Sequence, residues 1–273
     1  MKIFISNDDG VHAPGIITLS NRLAELGHAV TVVAPDRERS GAGHSITTTS
    51  LHLKQETFPG YDPRVRTFKC NGTPADCVTL GIEVVAPDSE LVLAGINSGP
   101  NLGCDVFYSG TVAAAREGYF ENRRSLAVSL VVSGVSQDDW TRAKHYETAV
   151  RAVEALMEAL VDWEVLSTGT AVLLNVNVPN IPLSELKGFK ITRAGRRRYQ
   201  DRVRISVSPE GKSSYWIGGA SADSEEGEDS DVKAVNDGFV ALTFLQHDTT
   251  DYGLNGRVGP KELGKLNGRL PIK

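Results

Sequence analysis

The stretch that most constrains this chain is its start, KIFISNDDG over residues 2–10. Ile3, Phe4 and Ile5 form an unbroken β-prone run, the mark of a strand buried on both faces of a parallel sheet. Gly10 permits a sharp turn. Pro14 stands where a first helical turn begins, and Gly15–Leu26 has helical apolar spacing up to a capping Gly27. HAVTVVAP at 28–35 reads as a second buried strand, which completes a segment the size of a βαβ unit. In open α/β sheets ligands bind at the carboxyl ends of the strands, and there the chain sets Asp8 beside Asp9. Adjacent carboxylates without a basic neighbour repel unless a cation neutralises them, so the pair are candidate ligands of a hard divalent metal. The same residues suit an Asx turn, whose side-chain oxygens bond the local backbone. For Asp-Asp-Gly alone, the turn is the better reading.

The rest of the chain supplies the context. Its 273 residues allow one large domain or two small ones, and 40% hydrophobic content supports a sizeable core. A net charge of -5 argues against general nucleic-acid affinity. Cys70, Cys77 and Cys104 are too few and too irregular for a disulfide framework or a zinc site, and are expected as buried thiols in a reducing compartment. No apolar run approaches a membrane span and the start lacks a secretory leader. The expectation is a cytoplasmic protein without a membrane partner.

Further strand ends carry polar clusters. The loop DRERSGAGHS (36–45) offers the Ser40 hydroxyl, and Arg37, Arg39 and His44 could face an anion, although a solvated loop is the plainer reading. Thr73 is placed as N-cap and Pro74 as first residue of an apolar helix over Cys77–Val85. The strand ELVLAGI (90–96) ends at Asn97, a neutral carbonyl ligand, with Asn101 an amide donor nearby. Ser109, Gly110 and Thr111 open an alanine-rich helix, whose free N–H groups and dipole form a phosphate site; a capping role is the structural alternative. Strands are expected at Ser125–Ser133, Ala171–Val178 and Phe239–Leu245, and an amphipathic helix over Trp140–Val161, with Ala149, Val153, Leu156 and Leu160 in the core. The arginine-rich Ile191–Ile205 could touch phosphate, but a solvated ribbon or subunit contact fits better. The acidic Ser221–Asp231 is expected as a mobile loop.

Together, ISNDDGVHAPGI (5–16), VVAPDRERSGAGHSIT (32–47), NGTPAD (71–76), GINSGPNLGCDVFYSGTVAAAREG (95–118) and DVKAVNDGFVALTFL (231–245) resemble the SurE family, the survival-protein-E type of metal-dependent 5'-nucleotidase. The collinear match reverses the reading of Asp8 and Asp9 towards metal. The resemblance implies metal ligation by Asp8, Asp9, Ser40 and Asn97, with a phosphate region at Asn101, Ser109, Gly110 and Thr111. It implies a Rossmann-like α/β fold with a mostly parallel sheet flanked by helices, whose C-terminal hairpin and tail join homodimers or homotetramers. The whole chain reads as one such domain, with a core over about 1–186 and hairpin, acidic loop and tail over about 187–273. The substrates implied are nucleoside 5'-monophosphates, with 3'-nucleotides and short polyphosphate also accepted. One departure stands out. Some relatives carry a histidine in a Leu-His-x-Asp context, where this chain has Gln246, with His247 one residue later. A one-residue shift in a strand reverses the face, which leaves His247 a poor catalytic candidate.

The chemistry expected is metal-assisted hydrolysis of a phosphate monoester. An all-oxygen site suits Mg²⁺ or Mn²⁺, which polarises a phosphoryl oxygen and orients water, and Asp8 or Asp9 doubles as catalytic base. The alternative is a nucleotide-binding module with incidental hydrolysis. A dinucleotide-dependent enzyme fits less well, since no G-x-G-x-x-G follows the first strand.

Overall fold

In the computed structural model, which describes residues 1–132, 144–162, 171–199, 203–217, 221–223, 227–267 and 269, the opening strand lies in the middle of the main sheet. The first half of the chain runs β1 (Lys2–Ser6), α1 (Pro14–Glu25), β2 (Ala29–Pro35), β3 (Leu53–Gln55), β4 (Arg66–Cys70), α2 (Pro74–Leu80), β5 (Leu91–Ser98), α3 (Gly110–Phe120) and β6 (Arg124–Val131). It continues through α4 (Tyr146–Asp162), β7 (Val172–Pro179), β8 (Phe189–Ile191), β9 (Arg197–Tyr199), β10 (Val203–Val207), β11 (Ser213–Ile217), β12 (Ser221–Asp223), α5 (Asp231–Asn236), β13 (Val240–Phe244), α6 (Tyr252–Asn255) and α7 (Pro260–Asn267). Nine strands form one sheet in the order β3-β4-β2-β1-β5-β6-β7-β13-β8. Its pairings are parallel except β3 with β4 and β13 with β7. The α/β, Rossmann-like expectation holds.

The unbroken apolar strands have a simple cause. Successive side chains point to opposite faces, and both faces are covered. Ile3 and Ile5 join Leu91, Leu93, Leu126 and Val128 under α1 and α4, while Phe4 joins Val92, Ala94 and Ala127 under α2 and α3. Ala149, Val153, Leu156 and Leu160 of α4 are buried as their spacing predicts. That helix starts at Tyr146, later than expected, and 140–143 lie outside the described residues. The helix begins at Pro74 with Thr73 as its cap, as expected, and Asp76 completes a reciprocal capping box; its last turn, Gly81–Val85, widens to a π-helical one.

The strand order carries the functional consequence. From β1 the chain moves outward through β2 to β4, then returns to place β5 on the other side of β1. The carboxyl ends of β1 and β5 therefore flank the point where the winding reverses, and the crevice there is where such sheets take ligands.

Two expectations need correction, the acidic loop and the burial of Cys104. The acidic Ser221–Asp231 is not simply a loop: Ser221–Asp223 pairs antiparallel with Arg197–Tyr199, and Asp231 opens α5; 224–226 lie outside the described residues. Asp231 is buried, accepting the N–H groups of Gly103 at 2.8 Å and of Gly195 and Val232 at 2.9 Å, so it ties three distant segments together. Within the arginine-rich stretch, Arg193 and Arg197 ion-pair with Asp229 and Asp105, so protein acids occupy them; Arg202 is outside the described residues. Cys104 is exposed, unlike Cys70 and Cys77. Asp231→Ala strands three buried donors, and a loss of about 3 kcal/mol is expected, lowering the melting temperature by roughly 5–10 °C. Thermal denaturation followed by circular dichroism checks it; an unchanged transition would refute the tie.

Candidate active site

The turn after β1 resolves the ambiguity of Asp-Asp-Gly. Asn7 closes it, with Oδ1 accepting the Gly10 N–H at 3.2 Å and Nδ2 donating to the Gly10 carbonyl at 2.9 Å. Gly10 adopts a φ of +95°, which a side chain disfavours. The Asx turn exists, but Asn7 makes it, and the two aspartates project beyond it.

Asp8 is buried at the start of α3. The Thr111 hydroxyl donates to its Oδ1, and Gly110 packs against its side chain so closely that an added Cβ would come within 2.8 Å of Asp8 Cβ. The helix start expected to face phosphate thus holds a carboxylate first. Ser109 is the N-cap, its Oγ accepting the Val112 N–H at 3.0 Å, and it lines the same cleft. The phosphate and capping readings share one residue.

Asp9 is oriented by β5: its Oδ2 accepts the Ser98 N–H at 3.0 Å. Asn97 precedes, beside an irregularity in the β5–β6 register that re-aims the strand end. Its Nδ2 donates to the Gly99 carbonyl at 3.0 Å, while among the described residues its Oδ1 accepts no hydrogen bond. Asp8, Asp9, Ser40, Asn97, Asn101 and Ser109 all line one cleft of about 860 Å³, together with His12, Glu38, Asp105, Tyr108, Lys144 and Tyr146.

Electrostatics sharpen the picture. Burial pushes the Asp8 carboxyl above the usual range despite the Thr111 donors. Burial, then the charge on Asp8, raises Asp9 to about 6, with Glu38 adding repulsion to both. Two carboxylates held in one cleft with the Asn97 side chain fit a hard divalent cation. The neutral oxygens of Ser40 and Asn97 line the same cleft and could complete its ligand set.

Other candidates are placed differently. Ser40 sits at the exposed rim, its hydroxyl donating to Glu38 at 2.7 Å. Asn101 lies in a buried amide network: its Nδ2 donates to Ser129 Oγ at 2.7 Å, and its carbonyl accepts from Asn175 and Asn177. One of its two amide protons is thereby committed to the protein. Arg37, Arg39 and His44 are not among the lining residues: Arg39 donates to the Asn71 carbonyl at 2.6 Å and His44 pairs with Glu117. His247 lies against Tyr119 and Phe120, away from the cleft lining. Glu38 and Lys144 were missed by the sequence reading. Glu38 lay within the loop read for Ser40, two residues before it, whereas no local pattern marks Lys144.

The family model described as Survival protein SurE matches residues 3–201. The chain belongs to the SurE family. It is 43% identical over 262 residues to the 5'-nucleotidase SurE of Synechococcus elongatus, covering 92% of this chain and 96% of that one. It is 45% identical over 251 residues to the 5'/3'-nucleotidase SurE of Cronobacter sakazakii, covering 92% of each. Among solved structures, the SurE protein from Aquifex aeolicus superposes with a TM-score of 0.76 at 36% identity, over 98% of this chain and 100% of that one.

Proposed function

We propose that this SurE-family chain is a metal-dependent 5'-nucleotidase that hydrolyses nucleoside 5'-monophosphates to nucleoside and phosphate, and accepts 3'-nucleotides as well. The observation that carries the reading is the pair Asp8 and Asp9 at the winding-reversal crevice, in one cleft with the Asn97 side chain. Relatives named 5'-nucleotidase and 5'/3'-nucleotidase support the substrate class.

In this reading Asp8, Asp9 and Asn97 hold the ion, with Ser40 as a further oxygen donor once its hydroxyl turns from Glu38. Magnesium or manganese suits the all-oxygen set. When bound, the ion supplies Lewis-acid polarisation of a phosphoryl oxygen and acidification of water. The chain supplies the rest. Thr111 and the start of α3 fix the Asp8 carboxylate, and the Ser98 N–H fixes Asp9. Asp9, oriented by the Ser98 N–H, is the candidate base for the attacking water. The Ser109 hydroxyl accepts from Val112 and keeps its own proton for a phosphoryl oxygen, as Asn101 keeps its second amide proton.

The β10–β11 hairpin exposes Val203, Ile205, Val207, Tyr215, Trp216 and Ile217. Such an apolar surface on a two-stranded ribbon supports assembly with a second copy. Phosphate release from a panel of 5'- and 3'-nucleoside monophosphates, before and after chelation and Mn²⁺ or Mg²⁺ addition, tests the activity. Release should vanish on chelation and return with the ion. Tight nucleotide binding without release would favour the binding-module reading instead.

A further inference from the structure

Every residue of β7 is buried, yet its apolar run is broken twice, at Asn175 and Asn177. Both asparagines are fully buried, and so is Ser129, the register partner of Asn177 on β6. Residues i and i+2 of a strand share a face, so the two carboxamides act side by side. They meet the loop that leaves β5. Asn177 grips the Asn101 backbone at two points: its Oδ1 accepts the Asn101 N–H at 2.9 Å, and its Nδ2 donates to the Asn101 carbonyl at 3.1 Å. Asn175 Nδ2 gives that carbonyl a second hydrogen bond at 2.8 Å. Ser129 holds the side chain, its Oγ accepting from Asn101 Nδ2 at 2.7 Å. Asn101 is 6% exposed and lines the cleft.

Stability alone does not explain this network. Asn175 Oδ1 is buried and finds no hydrogen-bond partner among the described residues. An orphaned buried acceptor destabilises a fold. A valine at this position would remove it and suit a buried strand better, and the Asn101 carbonyl would keep its bond from Asn177. What the Asn175 carboxamide provides is a second hold on Asn101.

We propose that Ser129, Asn175 and Asn177 are positioning residues for the substrate. They clamp Asn101 by its backbone and by one amide proton, so that its second amide proton meets a phosphoryl oxygen of the nucleotide. This rests on the nucleotidase reading, in which Asn101 is a phosphate contact and the metal falls to other residues. A donor held in place before binding loses less free energy to ordering when the ligand arrives. The clamp therefore governs phosphate affinity and leaves the ion alone, whereas a merely structural network would affect stability and both ligands together.

The test reads the three quantities separately in Asn175→Val and Ser129→Ala. Mn²⁺ affinity is measured by electron paramagnetic resonance, inorganic phosphate affinity of the Mn²⁺-loaded protein by phosphorus NMR relaxation, and melting by circular dichroism. Each substitution should weaken phosphate by about three- to tenfold with Mn²⁺ affinity unchanged, and Asn175→Val should melt no lower than wild type. Ser129→Ala removes only a hydroxyl, and decides the matter if the valine variant does not fold. Unchanged phosphate affinity in the folded variants, with wild-type turnover intact, overturns the clamp alone. So does a parallel loss of phosphate affinity, Mn²⁺ affinity and melting temperature. Wild-type protein that binds Mn²⁺ but neither binds nor releases phosphate overturns the nucleotidase reading and the clamp with it.

Discussion

Asp8→Asn is expected to lower kcat/KM for nucleoside 5'-monophosphates by about a thousandfold at saturating Mn²⁺, because it would remove a charged ligand of the proposed metal site. It should do so without unfolding the chain. The neutral amide keeps the shape, and burial already disfavours charge at this position. The pH dependence of Asp9 provides a companion test. Its folded value is raised from 3.8 to about 6, so between those values the folded chain holds the proton more tightly than the unfolded chain. In metal-free protein the stabilisation from that proton is complete below the unfolded value and is lost as pH rises through 6. Asp9→Asn carries no such term. The stability of wild type relative to Asp9→Asn should therefore decline across this window, and added Mn²⁺ should reverse the decline. Denaturant titrations at stepped pH, with and without the ion, measure both. A pH-independent difference would mean that the carboxyls are neither buried against one another nor metal ligands.

Gly110→Ala should have an effect of similar scale by another route. The new Cβ would stand 2.8 Å from Asp8 Cβ and 2.9 Å from its Oδ2, distances that require the helix start or the carboxylate to move. Displacing a metal-holding group by a fraction of an ångström to an ångström typically costs about a hundredfold in rate. Overpacking of this kind typically costs about 1–3 kcal/mol of stability. Thr111→Val is the contrast: it deletes the hydroxyl donor to Asp8 with little change in shape, and a smaller, roughly tenfold loss is expected. Steady-state kinetics and thermal melts of both variants check this. Full activity in Gly110→Ala would mean that Asp8 is not held against the start of α3.

How much of this was legible in the chain depends on how local the physics is. The β1–α1–β2 unit could be read because its apolar periodicity is complete within a few residues, and the carboxyl-end rule then located Asp8 and Asp9. Asn97 followed from the same rule applied to β5. Asp231 could not be read this way. It lies at the end of an acidic segment whose composition suggests solvation, and its donors are supplied by Gly103 and Gly195, which only the fold brings near. Lys144 is similar: nothing in RAKHYET distinguishes it, and its place depends on Ser98, 46 residues earlier. The start of α3 was half legible. The sequence marks it as a place for an anion, but not that the Thr111 hydroxyl holds the Asp8 carboxylate, a contact made across 103 residues.

The central claim is that Asp8, Asp9 and Asn97 together bind a divalent ion at the β1–β5 crevice. Anomalous diffraction from crystals soaked in Mn²⁺ tests it most directly. The account predicts one strong manganese peak within coordinating distance of both carboxylates and the Asn97 carbonyl oxygen, absent from crystals of Asp8→Asn. A peak elsewhere with this crevice empty, or one that persists undiminished in Asp8→Asn, would contradict it.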